Sequence, residues 1–166
     1  MTVRDLRYFG DPVLKTVADP VTTFDRTTKA LVDDLLDTVD LPGRAGLAAP
    51  QIGVGLRAFS YRVDDAVGYV LNPVLVEVSE ETHLLDEGCL SVPELSFPTE
   101  RARRAVVRGV DLDNEPVTVE GTGVLAQCLQ HEVDHLDGVL YLDRLTTERR
   151  RQAFREARRH DWFWSV

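Results

Sequence analysis

Leu31, Val32, Leu35, Leu36 and Val39 recur at three- and four-residue spacing among Asp33, Asp34 and Asp37. That pattern predicts an amphipathic helix with an acidic, solvated face. Thr and Asp residues upstream can cap it, and Pro42-Gly43 stops it. Before it, Tyr8-Phe9-Gly10-Asp11-Pro12 punctuates the chain and predicts an extended or turn segment. After residue 50 the pattern changes to β-branched and aromatic runs at 56–63, 67–71 and 74–78, broken by Gly and Pro. Two further runs, 105–112 and 117–120, flank Asp113-Asn114-Glu115-Pro116 and predict a hairpin. The segment 121–138 predicts a helix with Thr122 as a candidate N-cap and Gly138 as C-cap. Val124, Cys128, His131 and His135 fall on one side of it, and Leu125, Leu129 and Leu136 on an adjoining stripe. Both flanks should therefore be covered, which places this helix in the core. A last helix is expected over 147–160, with few apolar residues and many arginines. Neither repeats nor linkers break the chain. The order of elements predicts one α+β domain over 1–166, with antiparallel or mixed sheets around the central helix and a helix toward each end.

Composition adds limits rather than detail. With 166 residues, 43% hydrophobic and 28% charged, the chain can build a core, and a disordered or fibrous protein is excluded. A net charge of −9 disfavours wrapping DNA over the whole surface. The balance is uneven, however. Residues 144–166 carry +4, seven Arg against Glu148, Glu156 and Asp161, so the preceding chain carries −13. Only Cys89 and Cys128 occur, the amino terminus lacks a secretory apolar core, and no run reaches the ~18 apolar residues of a membrane span. These features predict free thiols and a cytoplasmic address. His83 and His160 have no motif around them and are read as surface residues.

The central helix holds His131-Glu132-Val133-Asp134-His135. Spacing of i and i+4 puts both imidazoles on one face, about 6 Å apart, where they can share one ion. Two histidines and a glutamate on a helix otherwise lined by Val, Leu and Ala are costly to bury without a partner, and a metal is the simplest one. Glu132 stands on the flank, placed to touch a water without ligating the metal. A catalytic site needs a third ligand. Tyr141 stands where a metzincin-type third His would be. Glu156, the candidate for a thermolysin-like site, lies among arginines that can pair with it. Cys128, a turn before His131, is out of easy reach and reads as pocket wall. Cys89, in the polar Glu87-Gly88-Cys89-Leu90-Ser91 stretch, is read as a loop thiolate that completes a Cys-His-His set. Ligand softness alone suggests zinc. Asp134 is expected to hold a neighbouring group or an Arg.

Gly46-Leu47-Ala48-Ala49-Pro50-Gln51, Glu87-Gly88-Cys89-Leu90-Ser91 and Gln130-His131-Glu132-Val133-Asp134-His135-Leu136 together resemble the three motifs of the peptide deformylases, in order. The resemblance runs from Tyr8 to about Leu145. It implies hydrolysis of the formyl group of N-formylmethionine on nascent polypeptides, with Fe(II) as the cellular metal and Zn, Ni or Co able to replace it. It also implies Cys89, His131 and His135 as ligands, Glu132 as general base and acid, and Gln51 and the Leu90 N–H as donors to the oxyanion. Arg44, Ala45, Gly46 and Gly88 are expected along the peptide, with small residues admitting its backbone. Val124, Leu125, Gln127, Cys128 and Leu90 are candidates for the methionine pocket. Three positions depart from the family pattern: Arg44 stands for a Gly, Gln127 for an aliphatic residue, and Ser96 for an Arg found in some branches. These bear on substrate preference and leave the chemical groups intact. A specialised paralogue, a non-catalytic binder of formylated peptides and a thermolysin-like peptidase are the competing expectations. The Arg-rich carboxyl-terminal helix is a candidate handle for the ribosome.

Overall fold

A computed structural model describes residues 2–165. Its frame is a five-stranded antiparallel sheet in the order β1 (Gly46–Ala48), β2 (Ala58–Val63), β3 (Ala66–Val78), β6 (Arg104–Val110) and β7 (Pro116–Thr122). Strands β4 (Thr82–Cys89) and β5 (Val92–Ala102) form a separate two-stranded sheet. Three helices accompany them: α1 (Arg26–Val39), α2 (Gly123–Leu136) and α3 (Thr147–Ala157). The expected α+β class with antiparallel sheets around a central helix is the architecture observed.

Alternation along the strands decides where each helix goes. Leu47, Ala58 and Leu71 point to one face and pack with Leu31, Val32, Leu35 and Val39 of α1. Their neighbours Ala48, Phe59 and Val70 point to the other face and pack with Leu129, Val133 and Leu136 of α2. The small sheet covers the outer side of α2 and closes a third cluster with Tyr141, Leu142, Leu145, Ala153 and Ala157. Helix α2 is therefore enclosed between two sheets, and every residue from Ala126 to Leu136 is buried.

Helix α1 starts at Asp25, whose carboxylate accepts from the Thr27 and Thr28 N–H groups at 2.8 and 3.2 Å. Helix α2 starts at Thr122 as expected, but no side-chain hydrogen bond caps it. Gly138, at φ +70°, ends it by turning left-handed against the Lys15 backbone. The runs 67–71 and 74–78 form one strand, β3. Asn72, at φ +49°, lets it bulge at Pro73 and hydrogen-bonds both backbone groups of Val21.

Two further corrections follow from the fold. The end of β4 lies where Glu87 to Ser91 were expected to form a loop, and β5 falls on a stretch with no predicted element, because the buried charged residues Glu87 and Arg101 interrupt the apolar alternation. Cys89 is thus the last residue of β4, in line with Glu87, Leu85 and His83 on the inward side. His83 and His160 are half-buried rather than exposed, and His160 stacks on Trp162 at 5.9 Å. Among the described residues no helix is long and apolar enough to cross a membrane.

Candidate metal centre

The two elements that cover α2 bring the predicted residues together. Strand β1 and the short 3-10 helix Ala49–Ile52 supply Gly46 and Gln51, and the end of β4 supplies Cys89 and Leu90 beside it. Helix α2 supplies His131, Glu132 and His135. A cleft of about 650 Å³ opens between them, lined by Arg44, Ala45, Gly46, Gln51, Gly88, Cys89, Leu90, Val124, Gln127, Cys128, His131 and Glu132. His135 lies beneath it, almost fully buried. Leu125 does not reach the cleft; it lies against Gly121 and the core.

Cys89 Sγ lies 3.3 Å from His135 Nε2, which lies 3.1 Å from His131 Nε2. All three donor atoms fall within 4.8 Å of one another. His131 presents Nδ1 to Glu87 Oε1 at 2.7 Å. In the neutral imidazole Nδ1–H donates to this carboxylate, and Nε2 then presents its lone pair toward Cys89 and His135. Burial alone would push the His131 pKa down, yet Cys89 and Glu87 hold it well above the usual value. Positive charge is therefore favoured at this point. His135 is kept neutral, chiefly by burial and then by the His131 charge. A sulfur and two imidazole nitrogens converging around a point that favours a cation fit a divalent ion well.

Behind the cluster lies a buried chain of charges. Arg101, on β5, donates from Nε and Nη2 to the two oxygens of Glu87 at 2.9 and 2.7 Å and from Nη1 to Asp134 at 2.8 Å. Arg144 donates to both oxygens of Asp134. Burial raises the Glu87 carboxyl, but Arg101 and His131 more than offset this and hold it at about 2. Asp134 anchors arginines, as its position between the histidines suggested. Glu87 and Arg101 escaped the sequence reading. The available signal was the i, i+2 spacing of Glu87 and Cys89, meaningful only once that segment is read as a strand.

Glu132 is buried, with Oε2 lacking a hydrogen-bond partner among the described residues. Burial pushes its carboxyl up to about 7, suited to moving a proton near neutral pH. Gly46 makes this placement possible. A Cβ there would meet the Glu132 carboxyl carbon at 2.7 Å and Cys128 Sγ at 2.8 Å. The glycine thus admits Glu132 itself, a more immediate reason than the peptide approach expected from sequence. Gln51 accepts from the Ala48 N–H through Oε1 at 2.9 Å, which turns Nε2 toward Ser91 Oγ and Cys89 Sγ at 3.2 and 3.6 Å. Its amide nitrogen is thereby held beside the Cys89 sulfur, at the cleft.

Matching over residues 3–151 is a family model described as polypeptide deformylase. The chain belongs to the peptide deformylase family. Peptide deformylase from Parafrankia is 55% identical over 163 residues, covering 98% of this chain and 89% of the relative. Peptide deformylase 1 of Corynebacterium efficiens is 46% identical, covering 98% and 99%. Among solved structures, the deformylase of Legionella pneumophila superposes with a TM-score of 0.88 at 36% identity over 95% of each chain. That of Ehrlichia chaffeensis in complex with actinonin gives 0.89 at 32% identity, covering 97% of this chain and 99% of that one.

The residues on which a metzincin-like or thermolysin-like site would depend are engaged elsewhere. Tyr141, where a metzincin would place its third His, stacks on His131 with ring centroids 6.3 Å apart. Glu156 accepts from Gln152 on α3 and is absent from the donor cluster. Cys128 forms cleft wall and hydrogen-bonds the Ala45 carbonyl at 3.3 Å. Arg44 lines the cleft with Nη1 held on the Thr38 carbonyl at 2.7 Å, and Gln127 reaches the Asp86 carbonyl at 3.4 Å.

Proposed function

We propose that this chain hydrolyses the formyl group from N-formylmethionine at the start of nascent polypeptides, releasing formate, with Cys89, His131 and His135 holding one divalent ion. The observation that carries this reading is the convergence of three lone-pair donors, a buried carboxyl and an oriented amide on one cleft. When bound, the ion supplies Lewis acidity toward the formyl oxygen and lowers the pKa of a water. Glu132 accepts a proton from the attacking water and passes it to the leaving amine. Gln51 Nε2 and the Leu90 N–H donate to the formyl oxygen as it gains negative charge, each worth about 2.7–4 kcal/mol. The peptide backbone runs beside Ala45, Arg44 and Gly88 as an added strand. The methionine side chain enters toward Val124, Gln127 and Cys128, and the amide of Gln127 makes that pocket less apolar than an aliphatic residue would.

Fe(II) is the ion we assign from the family resemblance, with zinc, nickel or cobalt as substitutes the same ligands accept. The cytoplasm, where polypeptides start, is the matching address. Contact with the ribosome is assigned to α3. Arg144, Arg149 and Arg150 are engaged by Asp134, the Pro98 carbonyl and Asp143. Arg151, Arg155, Arg158 and Arg159 have no acidic partner among the described residues and supply the charge.

Formate release from a formyl-Met tripeptide by iron- or nickel-loaded protein tests the activity. Glu132→Gln should lower turnover at least about 10³-fold with metal content unchanged. Cys89→Ser should lose the metal, and Glu156→Ala should keep it. No formate above background from metal-replete protein sinks the proposal. Peptide binding without turnover would instead identify a binder.

A further inference from the structure

We infer that residues 7–9 form a strap that fixes the spacing of Gln51 and the turn at Leu90 and Ser91, with Phe9 as its positioning residue. The inference rests on the donor roles proposed above for Gln51 and Leu90.

Those donors come from different sheets. Gln51 follows β1, at the edge of the five-stranded sheet, whereas Leu90 and Ser91 form the turn between β4 and β5. Between them the direct side-chain contact is soft: Gln51 Nε2 donates to Ser91 Oγ at 3.2 Å. The backbone contacts made by the strap are shorter. Arg7 N–H donates to the Gln51 carbonyl at 2.7 Å, and Phe9 N–H donates to the Ser91 carbonyl at 2.8 Å. Groups two residues apart on an extended chain lie about 6.5–7 Å apart, so the segment acts as a ruler laid across both pieces. It also closes a ring: Arg7 to Gln51, Gln51 to Ser91, Ser91 to Phe9. Leu6 and Tyr8, on either side of Arg7, line the cleft.

A backbone ruler is only as firm as its ends. Asp11 N–H donates to the Tyr8 carbonyl at 3.0 Å and turns the chain just beyond Phe9. The Phe9 ring is held from the other side of the molecule. It meets Phe154 of α3 edge-on at 5.6 Å and stacks on Phe163, in the 3-10 turn that follows, at 5.7 Å and 11°. Removing the ring leaves both backbone donors in place but frees the segment that carries them. Oxyanion donors act over a narrow range, 2.7–3.1 Å from the charge they stabilise, and a shift near 1 Å can cost about 10²-fold. Loosening of the strap should therefore reach turnover through Gln51 and Leu90 and leave metal and ground-state binding alone.

The test is a double-mutant cycle on iron- or nickel-loaded full-length protein, read as kcat and KM for a formyl-Met tripeptide with metal content measured alongside. Phe9→Ala should lower kcat about tenfold, with KM within twofold and metal content unchanged. Phe9→Leu should restore most of the loss. In a Gln51→Ala background Phe9→Ala should cost less than threefold, because the group through which it acts is gone. Phe163→Ala, which removes the stacked ring without altering residues 7–9, should lower kcat about threefold and serves if Phe9→Ala does not accumulate. Equal losses in both backgrounds overturn the strap, as does unchanged kcat in Phe9→Ala or Phe163→Ala. Unchanged turnover in Gln51→Ala alone overturns the donor role itself.

Discussion

Helices α1 and α2 are both 14 residues long and lie on opposite faces of the same sheet. Helix α1 buries one stripe and leaves Arg26, Lys29 and Asp33 in water, so its stability can be read from its own periodicity. In α2 the burial from Ala126 to Leu136 includes two Gln, two His, a Glu and an Asp. Such a helix would be costly taken alone. It is tolerated because each polar group finds its partner elsewhere: Glu87 for His131, Arg101 and Arg144 for Asp134, the Ala102 backbone for Gln130. The exceptions, Glu132 Oε2 and His135 Nδ1, lack a partner among the described residues. One face of the sheet is packed as a plain apolar core and the other is packed around the cluster of Cys89, His131 and His135.

The sharpest way to break this contrast is at Arg101. Its removal leaves Glu87 with His131 and Asp134 with Arg144 as their remaining charged partners, and breaking a buried ion pair from one side costs about 3–5 kcal/mol. Arg101→Met should lower unfolding free energy by about 4 kcal/mol in urea titrations; a loss below about 1 kcal/mol would mean that water screens the network. On the other face Leu35, fully buried, is a plain packing residue. Leu35→Ala should cost about 3 kcal/mol. Turnover by the folded fraction should stay within twofold of the parent, and a larger fall would couple the two faces.

How much was legible beforehand follows the same division. The Leu31-to-Val39 periodicity reports α1 because its partners enter only as generic apolar surface. The His131 and His135 pair was legible for a similar reason, since i, i+4 spacing is local geometry. Cys89 is legible as the third candidate donor, but its stretch reads as a loop because Asp86-Glu87-Gly88 conceals the alternation of β4. That Arg101 would meet Glu87 depends on which strands pair and in what register, which no local pattern contains. Gly46 was legible as a place of close approach, but what approaches it, the carboxyl of Glu132, is a contact across 86 positions.

A smaller effect should separate holding the metal from holding the fold. Glu87→Gln keeps the shape and a hydrogen-bond acceptor for His131 but removes the charge that favours an exposed Nε2 lone pair. Loss of such a partner behind a ligating His weakens metal binding about 10–100-fold, or about 1.4–2.7 kcal/mol. Chelator competition should read that shift, and Glu87→Asp should recover little, its shorter chain falling short of Nδ1. Unchanged affinity would assign Glu87 to the Arg101 network alone.

The smallest expected difference lies at the two helix starts, where one cap makes side-chain hydrogen bonds and the other makes none. Asp25 accepts two N–H groups at the head of α1, so Asp25→Ala should cost about 1 kcal/mol. Thr122 occupies the corresponding position of α2 without a capping hydrogen bond. Thr122→Ala should then change stability by less than about 0.5 kcal/mol, within the range of ordinary surface substitutions. The physical reason is enclosure: α2 is held along its length by two sheets and by its buried polar partners, whereas α1 rests on one face and draws more on its own ends. Paired thermal melts of the two variants measure this directly, and a cost at Thr122 equal to that at Asp25 would show that α2 needs its cap as much as α1 does.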